Sequence, residues 1–399
     1  MKVALIGNMN NNNFAVMRYL RDLGVDAYLL ITDDDGVKSN AHFIPENDTL
    51  NLNIWNAYIK QVPLGVYRSI FRQSSREIRT ILKEYDFLIG SGLVPFFVYK
   101  AGRKLDLFYP YTVGVEFISD ASFKHQKNRF KKKYIKLIFR YLIGQYFKML
   151  MRKGLRNCSK IITTEIEVTG KTLNQLGLEY QALDIPMLYN REKIDEYTST
   201  ENEILSYSYD LVLFSHVSHV AGKNKNPILE SLKLIKEKSK KNIILFLVSY
   251  GSQIENTQRE IRRLGIEDKI IWIDPVSRVE IMKKLNCVDI GFGEFEGYMW
   301  GGCGWEFLAS GVPFFHYSKL NEQEFQDKLN YPMPPIFNTK SPEEICEKLL
   351  YYSENKIELK KISQQMKDWF DLYGGIGLAK KWKSLIELIY YTNKNEITQ

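Results

Sequence analysis

At 399 residues, with 45% hydrophobic and 13% aromatic side chains, the chain exceeds one ordinary core and suits two domains of ~150–200 residues each. Four cysteines with no C-x-x-C pair argue against a disulfide framework and for a reducing compartment. The net charge of +8 is a local feature: residues 121–164 carry thirteen Lys or Arg and no acid, so the remainder sums to −5. No apolar run reaches the ~18 residues of a membrane span, and the apolar stretch after Lys2 is too short for a signal-peptide core. A cytoplasmic location is therefore expected.

Residues 1–190 alternate strand and helix signals. Val3–Gly7 predicts a buried strand, Phe14–Leu23 a helix ended by Gly24, and Val25–Ile31 a second strand. The loop between the first strand and helix holds Asn10, Asn11, Asn12 and Asn13. Asparagine amides donate to and accept from hydroxyls, and asparagine also caps helices and tolerates left-handed backbone. Asp33-Asp34-Asp35 before Gly36 predicts a turn, and no metal site is assigned. Strands are expected at Phe87–Ile89, Leu107–Tyr109 and Ile161–Thr163, with helices near 68–84 and 130–153. From Phe123 to Arg156, lysines and arginines (Lys131, Lys132 and Lys133 among them) interleave with aromatics. That pattern predicts an element lying on an anionic membrane surface rather than on nucleic acid; the plainer alternative is a helix with its lysines in water.

A polar stretch at 191–209 reads as a linker. The alternation then restarts with strand Leu211–Phe214, helix Pro227–Lys238, strand Ile243–Val248, helix Thr257–Leu264, strand Ile270–Trp272 and helix Arg278–Leu285. Between the first of these strands and its helix lie His216, His219, Lys223 and Lys225, cations able to face a diphosphate or simply to sit in a solvated turn. Strand Val288–Phe292 then runs into a loop bearing Glu294, Glu296 and glycines 297, 301, 302 and 304. A helix carrying Glu306 follows and stops at Gly311, and Val312–Phe315 begins the next strand. Free amides at a helix start suit a diphosphate. A carboxylate one turn further in suits a neutral diol such as ribose, although a helix-terminal acid is also favoured by the dipole alone.

Glu306-Phe307-Leu308-Ala309-Ser310-Gly311-Val312-Pro313 resembles the E-A-M-A-x-G-x-P-V signature of glycosyltransferase family 4, retaining enzymes of the GT-B fold. Glu296-Gly297-Tyr298 departs from the family's E-G-F-G loop in residue and spacing. The polysaccharide-type version, D-x-F-x-x-G-x-x-G, would instead place Glu294 in the acidic position. The resemblance implies an α/β protein of two Rossmann-like domains whose parallel sheets face a central cleft. These would be an acceptor-side domain at 1–190, a donor domain at 210–372, and a helix at 373–399 crossing back to the first domain.

It further implies Glu306, Gly301, Gly302, Lys225, His216 and His219 as donor-binding groups. Glu294, Glu296 and Lys223 would serve the chemistry, the lysine neutralising the departing diphosphate. Asn10, Asn11, Asn12 and Glu116, the last in a segment similar to the family's G-x-D, would stand on the acceptor side. The implied activity moves a sugar, with retention, from a nucleotide diphosphate-sugar to a glycan or lipid-linked acceptor in cell-envelope polysaccharide assembly. It needs no cofactor and no essential metal, and the enzyme would sit peripherally on the inner face of the cell membrane. The alternatives are a nucleotide-sugar epimerase or phosphorylase of the same fold, or a non-catalytic basic protein binding membrane or nucleic acid.

Overall fold

The structure is a computed structural model describing residues 1–33, 44–65, 73–111, 115, 134–164, 169–192, 208–223, 225–296 and 300–398, without the side chains of 134–141 and 396–398. Glu116, Lys131, Lys132, Lys133, Asp34, Asp35, Gly297 and most of the expected linker lie outside the described residues. The chain divides into two compact units, Met1–Met187 with Leu378–Gln399, and Leu188–Gly377.

The first unit is built on six parallel strands: β1 (Lys2–Ile6), β2 (Asp26–Ile31), β3 (Ile59–Gln61), β4 (Phe87–Gly90), β5 (Leu107–Phe108) and β6 (Lys160–Ile161). Their order is β3-β2-β1-β4-β5-β6, with Val3 in register with Ala27 on one side and Phe87 on the other. β1 and β4 are buried almost throughout because helices cover both faces of a parallel sheet. Among the elements not apparent from periodicity, β3 is only three residues long, and the helix Val94–Lys100 opens on a strand-like Val-Pro-Phe-Phe-Val. The helix expected near 68–84 is described over Ser75–Leu82, where Ser74 and Glu77 form a capping box.

The helix Ile376–Thr398 belongs to this unit. Trp382 is fully buried, edge-to-face with Tyr109 at 5.7 Å between ring centroids, and donates Nε1 to Asp184 O at 2.7 Å. Asn393 reaches Asp106 Oδ1 at 2.9 Å. The expected run of helix beyond Ser341 is broken into Pro342–Glu354, Lys356–Tyr373 and Ile376–Thr398, with breaks at Asn355 and at Gly374-Gly375.

The second unit repeats the plan with β7 (Leu211–Ser215), β8 (Ile243–Val248), β9 (Ile270–Ile273), β10 (Ile290–Phe292), β11 (Phe314–His316) and β12 (Phe337–Asn338). All are parallel, in the order β12-β11-β10-β7-β8-β9. The continuous apolar run Ile-Ile-Leu-Phe-Leu-Val of β8 is buried at every position. In each sheet the strand order reverses once, at β1/β4 and at β7/β10, and loops leaving the carboxyl ends of those strands diverge to leave room for a ligand.

Candidate active site

The crevice at β7/β10 gathers His216, Lys223, Arg278, Glu294 and Glu306. Ser215, the last residue of β7, donates Oγ to Phe292 O at 3.2 Å and ties the two strand ends together. His216 follows β7 directly; Gly293 and Glu294 follow β10.

Glu306 stands in the second turn of the helix Gly301–Ser310 and is 8% exposed. Its Oε2 lies 2.5 Å from His216 Nε2, and its Oε1 accepts from Arg278 Nε at 2.9 Å. Burial raises the Glu306 carboxyl, but the His216 and Arg278 charges outweigh it and hold the group below the usual carboxylate range. Burial likewise opposes a charged His216, yet Cys303 and Glu306 beside it push the imidazole up to about 10. The Glu306 carboxylate is thus held between the His216 imidazole and the Arg278 guanidinium. A carboxylate offers about four acceptor positions, so two remain for ligand hydroxyls.

His216, raised above its ordinary 6.5, stabilises the folded chain fully below pH 6.5, and this contribution fades as pH rises toward about 10. The gap in thermal midpoint between wild type and His216→Gln is expected to be widest near pH 6.5 and to close toward pH 10. A gap that does not narrow over that window would place the proton elsewhere.

His216 Nε2, Cys303 Sγ and the Glu306 carboxylate lie within 4.8 Å of one another. A metal there would have to replace the proton held between His216 and Glu306.

Arg278 was not singled out in the sequence. It occupies the first position of the helix Arg278–Leu285, just after the capping Ser277. A cation at a helix amino end opposes the dipole, which is the signal that it has a partner elsewhere; the partner is Glu306. Cys303, donating to His216 O at 3.6 Å, carried no comparable signal.

A second pair lies on the same crevice. Lys223 Nζ is 2.7 Å from Glu294 Oε1, joining the loop after β7 to the loop after β10. Tyr317 N donates to Glu294 O at 3.1 Å and fixes that loop from β11. Gly301 has φ +61, and a Cβ there would stand 2.8 Å from Glu294 Oε1. Gly301→Ala is expected to cost about 1–2 kcal/mol from the left-handed backbone alone, read by denaturant unfolding. Gly302 faces open space. Exposed Glu296 lines a groove of about 370 Å³ together with Lys223, Gln253, Asn256 and Glu260.

His219 and Lys225 turn inward. The two ring nitrogens of His219 lie 2.8 Å from Thr257 Oγ1 and 3.0 Å from Val248 O, and burial with nearby Lys225 lowers its pKa to about 4. Lys225 Nζ donates to Val217 O at 2.8 Å, and burial lowers it to about 8. Both brace the loop that presents Lys223. Of the two histidines near the expected phosphate clamp, only His216 joins the Glu306 cluster.

In the first unit the asparagine loop is bonded partly to itself and partly to neighbouring segments. Asn10 and Asn11 adopt φ 51 and 57, which asparagine tolerates. Asn8 Nδ2 donates to Asn11 Oδ1, Asn11 Nδ2 to Ile44 O, and Asn10 Nδ2 to Tyr111 Oη. Asn12 differs: its buried Nδ2 has no partner within the described residues.

No protein-family model and no curated protein sequence matches the chain. Solved structures do. HepE from Anabaena in complex with UDP-glucose aligns with a TM-score of 0.58 at 12% identity, over 99% of this chain and 100% of that one. A glycosyltransferase from Rickettsia africae aligns at 0.57 and 13% identity, over 97% and 98%. Sucrose-phosphate synthase from Thermosynechococcus elongatus aligns at 0.57 and 10% identity, over 98% and 100%. At such identities the likeness shows the fold: two six-stranded parallel α/β units, the architecture of GT-B glycosyltransferases.

Proposed function

We propose that this chain is a glycosyltransferase that takes its sugar from a nucleotide diphosphate donor held by the second unit. One observation carries the reading. A buried carboxylate flanked by two cations, and a separate lysine on a glycine-bearing loop, meet at the β7/β10 strand reversal, beside the free amides of the helix Gly301–Ser310. Ribose hydroxyls would donate to the open positions of Glu306. The diphosphate would lie against the amides opening the helix and against Lys223. As the sugar leaves, negative charge grows on the diphosphate, and a cation fixed beside it lowers that barrier. Binding would exchange the Lys223–Glu294 pair for a Lys223–phosphate pair, freeing the Glu294 carboxylate for donor hydroxyls or for the positive charge developing at the anomeric carbon.

Uridine donors are the first to test, since HepE is known in complexes with UDP and UDP-glucose. The family resemblance adds transfer with retention, a glycan or lipid-linked acceptor, and a place in cell-envelope polysaccharide assembly. A departing phosphate oxygen would take the acceptor's proton. On the acceptor side, Asn12 carries a buried amide with no hydrogen-bond partner among the described residues.

The test is turnover of UDP- and GDP-sugars with and without a lipid or glycan extract. Product sugar on an added acceptor supports the reading. An isomerised donor formed without acceptor would make the chain an epimerase, and no binding of any nucleotide-sugar would remove the reading altogether.

A further inference from the structure

Cys303 takes no part in the transfer scheme, yet it completes a set of three metal-ligand types. It stands three residues before Glu306 on the helix Gly301–Ser310, so both side chains leave the same face. His216 meets them from the end of β7, where Ser215 is tied to Phe292 O at 3.2 Å. Its Nε2 lies 2.5 Å from Glu306 Oε2, and the thiol, imidazole and carboxylate ligand atoms all fall within 4.8 Å of one another. Around a tetrahedral ion, ligand atoms bound at about 2.0–2.3 Å stand about 3.3–3.6 Å apart, so His216 and Glu306 need part by no more than about 1 Å. Cys303 is half-buried beside exposed Gly302, which gives an ion an approach.

The donor set selects the ion. A thiolate, an imidazole and a carboxylate suit Zn²⁺, whereas Mg²⁺ and Ca²⁺ take oxygen ligands. Thiolate and carboxylate together balance a divalent charge, and Arg278 stays on the other carboxylate oxygen, Oε1. The surroundings decide how firmly the ion is held. A histidine that ligates a resident metal almost always donates its second ring nitrogen to an outer partner. His216 Nδ1 is buried and has no partner among the described residues. The site therefore suits an ion that binds and leaves rather than a structural one.

We propose that His216, Cys303 and Glu306 form a reversible Zn²⁺ site that switches off donor binding. The ion would take Glu306 Oε2 while Arg278 keeps Oε1, so the carboxylate offered to ribose is engaged on both oxygens. The inhibition rests on the transfer reading; the metal site does not.

The experiment titrates the full chain with Co²⁺, whose bond to a thiolate gives a charge-transfer absorption, and then adds Zn²⁺ or Mg²⁺. Wild type is expected to show the absorption and to lose it to Zn²⁺ but not to Mg²⁺. Cys303→Ser should abolish it and bind Zn²⁺ at least about 100-fold more weakly, with Cys158, Cys287 and Cys346 still in place as internal controls. The affinity for UDP is then measured with Zn²⁺ at about ten times its own dissociation constant. It should fall about tenfold in wild type and stay unchanged in Cys303→Ser. GDP replaces UDP where UDP does not bind. Cys303→Ala and metal-free thermal midpoints distinguish a lost ligand from a misfolded variant. No absorption in wild type, absorption that survives in both Cys303 variants, or UDP binding that Zn²⁺ leaves unchanged or strengthens would each overturn the proposal. If neither nucleotide binds the metal-free chain, the transfer reading falls and the inhibition with it, while the Co²⁺ absorption still decides the metal site.

Discussion

Glu306→Gln is expected to lose donor affinity and a large part of the second unit's stability together. A charge-assisted hydrogen bond contributes about 1.5–3 kcal/mol, so an amide in place of the carboxylate should weaken nucleotide-sugar binding by about 10- to 150-fold. Ribose does not change during sugar transfer, so what Glu306 contributes is equal in ground and transition states. The loss should therefore appear in KM, with kcat little altered. The stability loss has a separate origin. His216 and Arg278 would then face a neutral amide, and breaking a buried ion pair from one side costs about 3–5 kcal/mol.

Denaturant unfolding of Glu306→Gln beside Glu306→Gln/His216→Gln separates the two effects. Removing the stranded imidazole should recover part of the stability and none of the donor affinity. Unchanged KM in a folded Glu306 variant would show that the carboxylate only steadies its two cations.

Lys223→Ala is expected to do the opposite. Its pair with Glu294 is partly exposed, with side-chain exposures of 30% and 16%, so stability should move by no more than about 1 kcal/mol. Charge on the leaving diphosphate develops only in the transition state, and losing one fixed stabilising group typically costs about 10²–10³ in kcat. Donor KM should change little by comparison. Glu294→Gln, which frees Lys223 without removing it, should leave nucleotide binding intact or slightly improved. If Lys223→Ala lowers stability and leaves kcat untouched, the lysine is a loop clasp and another group meets the phosphates.

The alternation of strand and helix, and so the doubly wound plan of both halves, was legible because strands buried on two faces must be written as unbroken apolar runs. Val3–Ile6, Ile243–Val248 and Ile290–Phe292 are such runs. Glu306 was legible through the signature it shares with glycosyltransferase family 4, and Gly301 and the helix stop at Gly311 because φ values of +61 and +68 leave little choice of residue. Short elements were not: β3 and β12 have three and two residues, too few to show a period, and exist because a neighbouring strand offers them hydrogen bonds.

The site's electrostatics likewise belonged to the tertiary structure. By sequence, His216, His219, Lys223 and Lys225 shared one loop, and only the family resemblance set Lys223 apart as the lysine facing the diphosphate. Packing sends His219 and Lys225 inward to Val248 O and Val217 O, leaves Lys223 for Glu294, and gives His216 to Glu306. Arg278, 28 residues from Glu306 along the chain, enters only because the helix after β9 begins beside the helix after β10. Local sequence determines which residues carry charge and where backbone must bend. Which charge meets which depends on side chains brought together across strands, through Coulomb terms that fall with distance in space and take no account of separation along the chain.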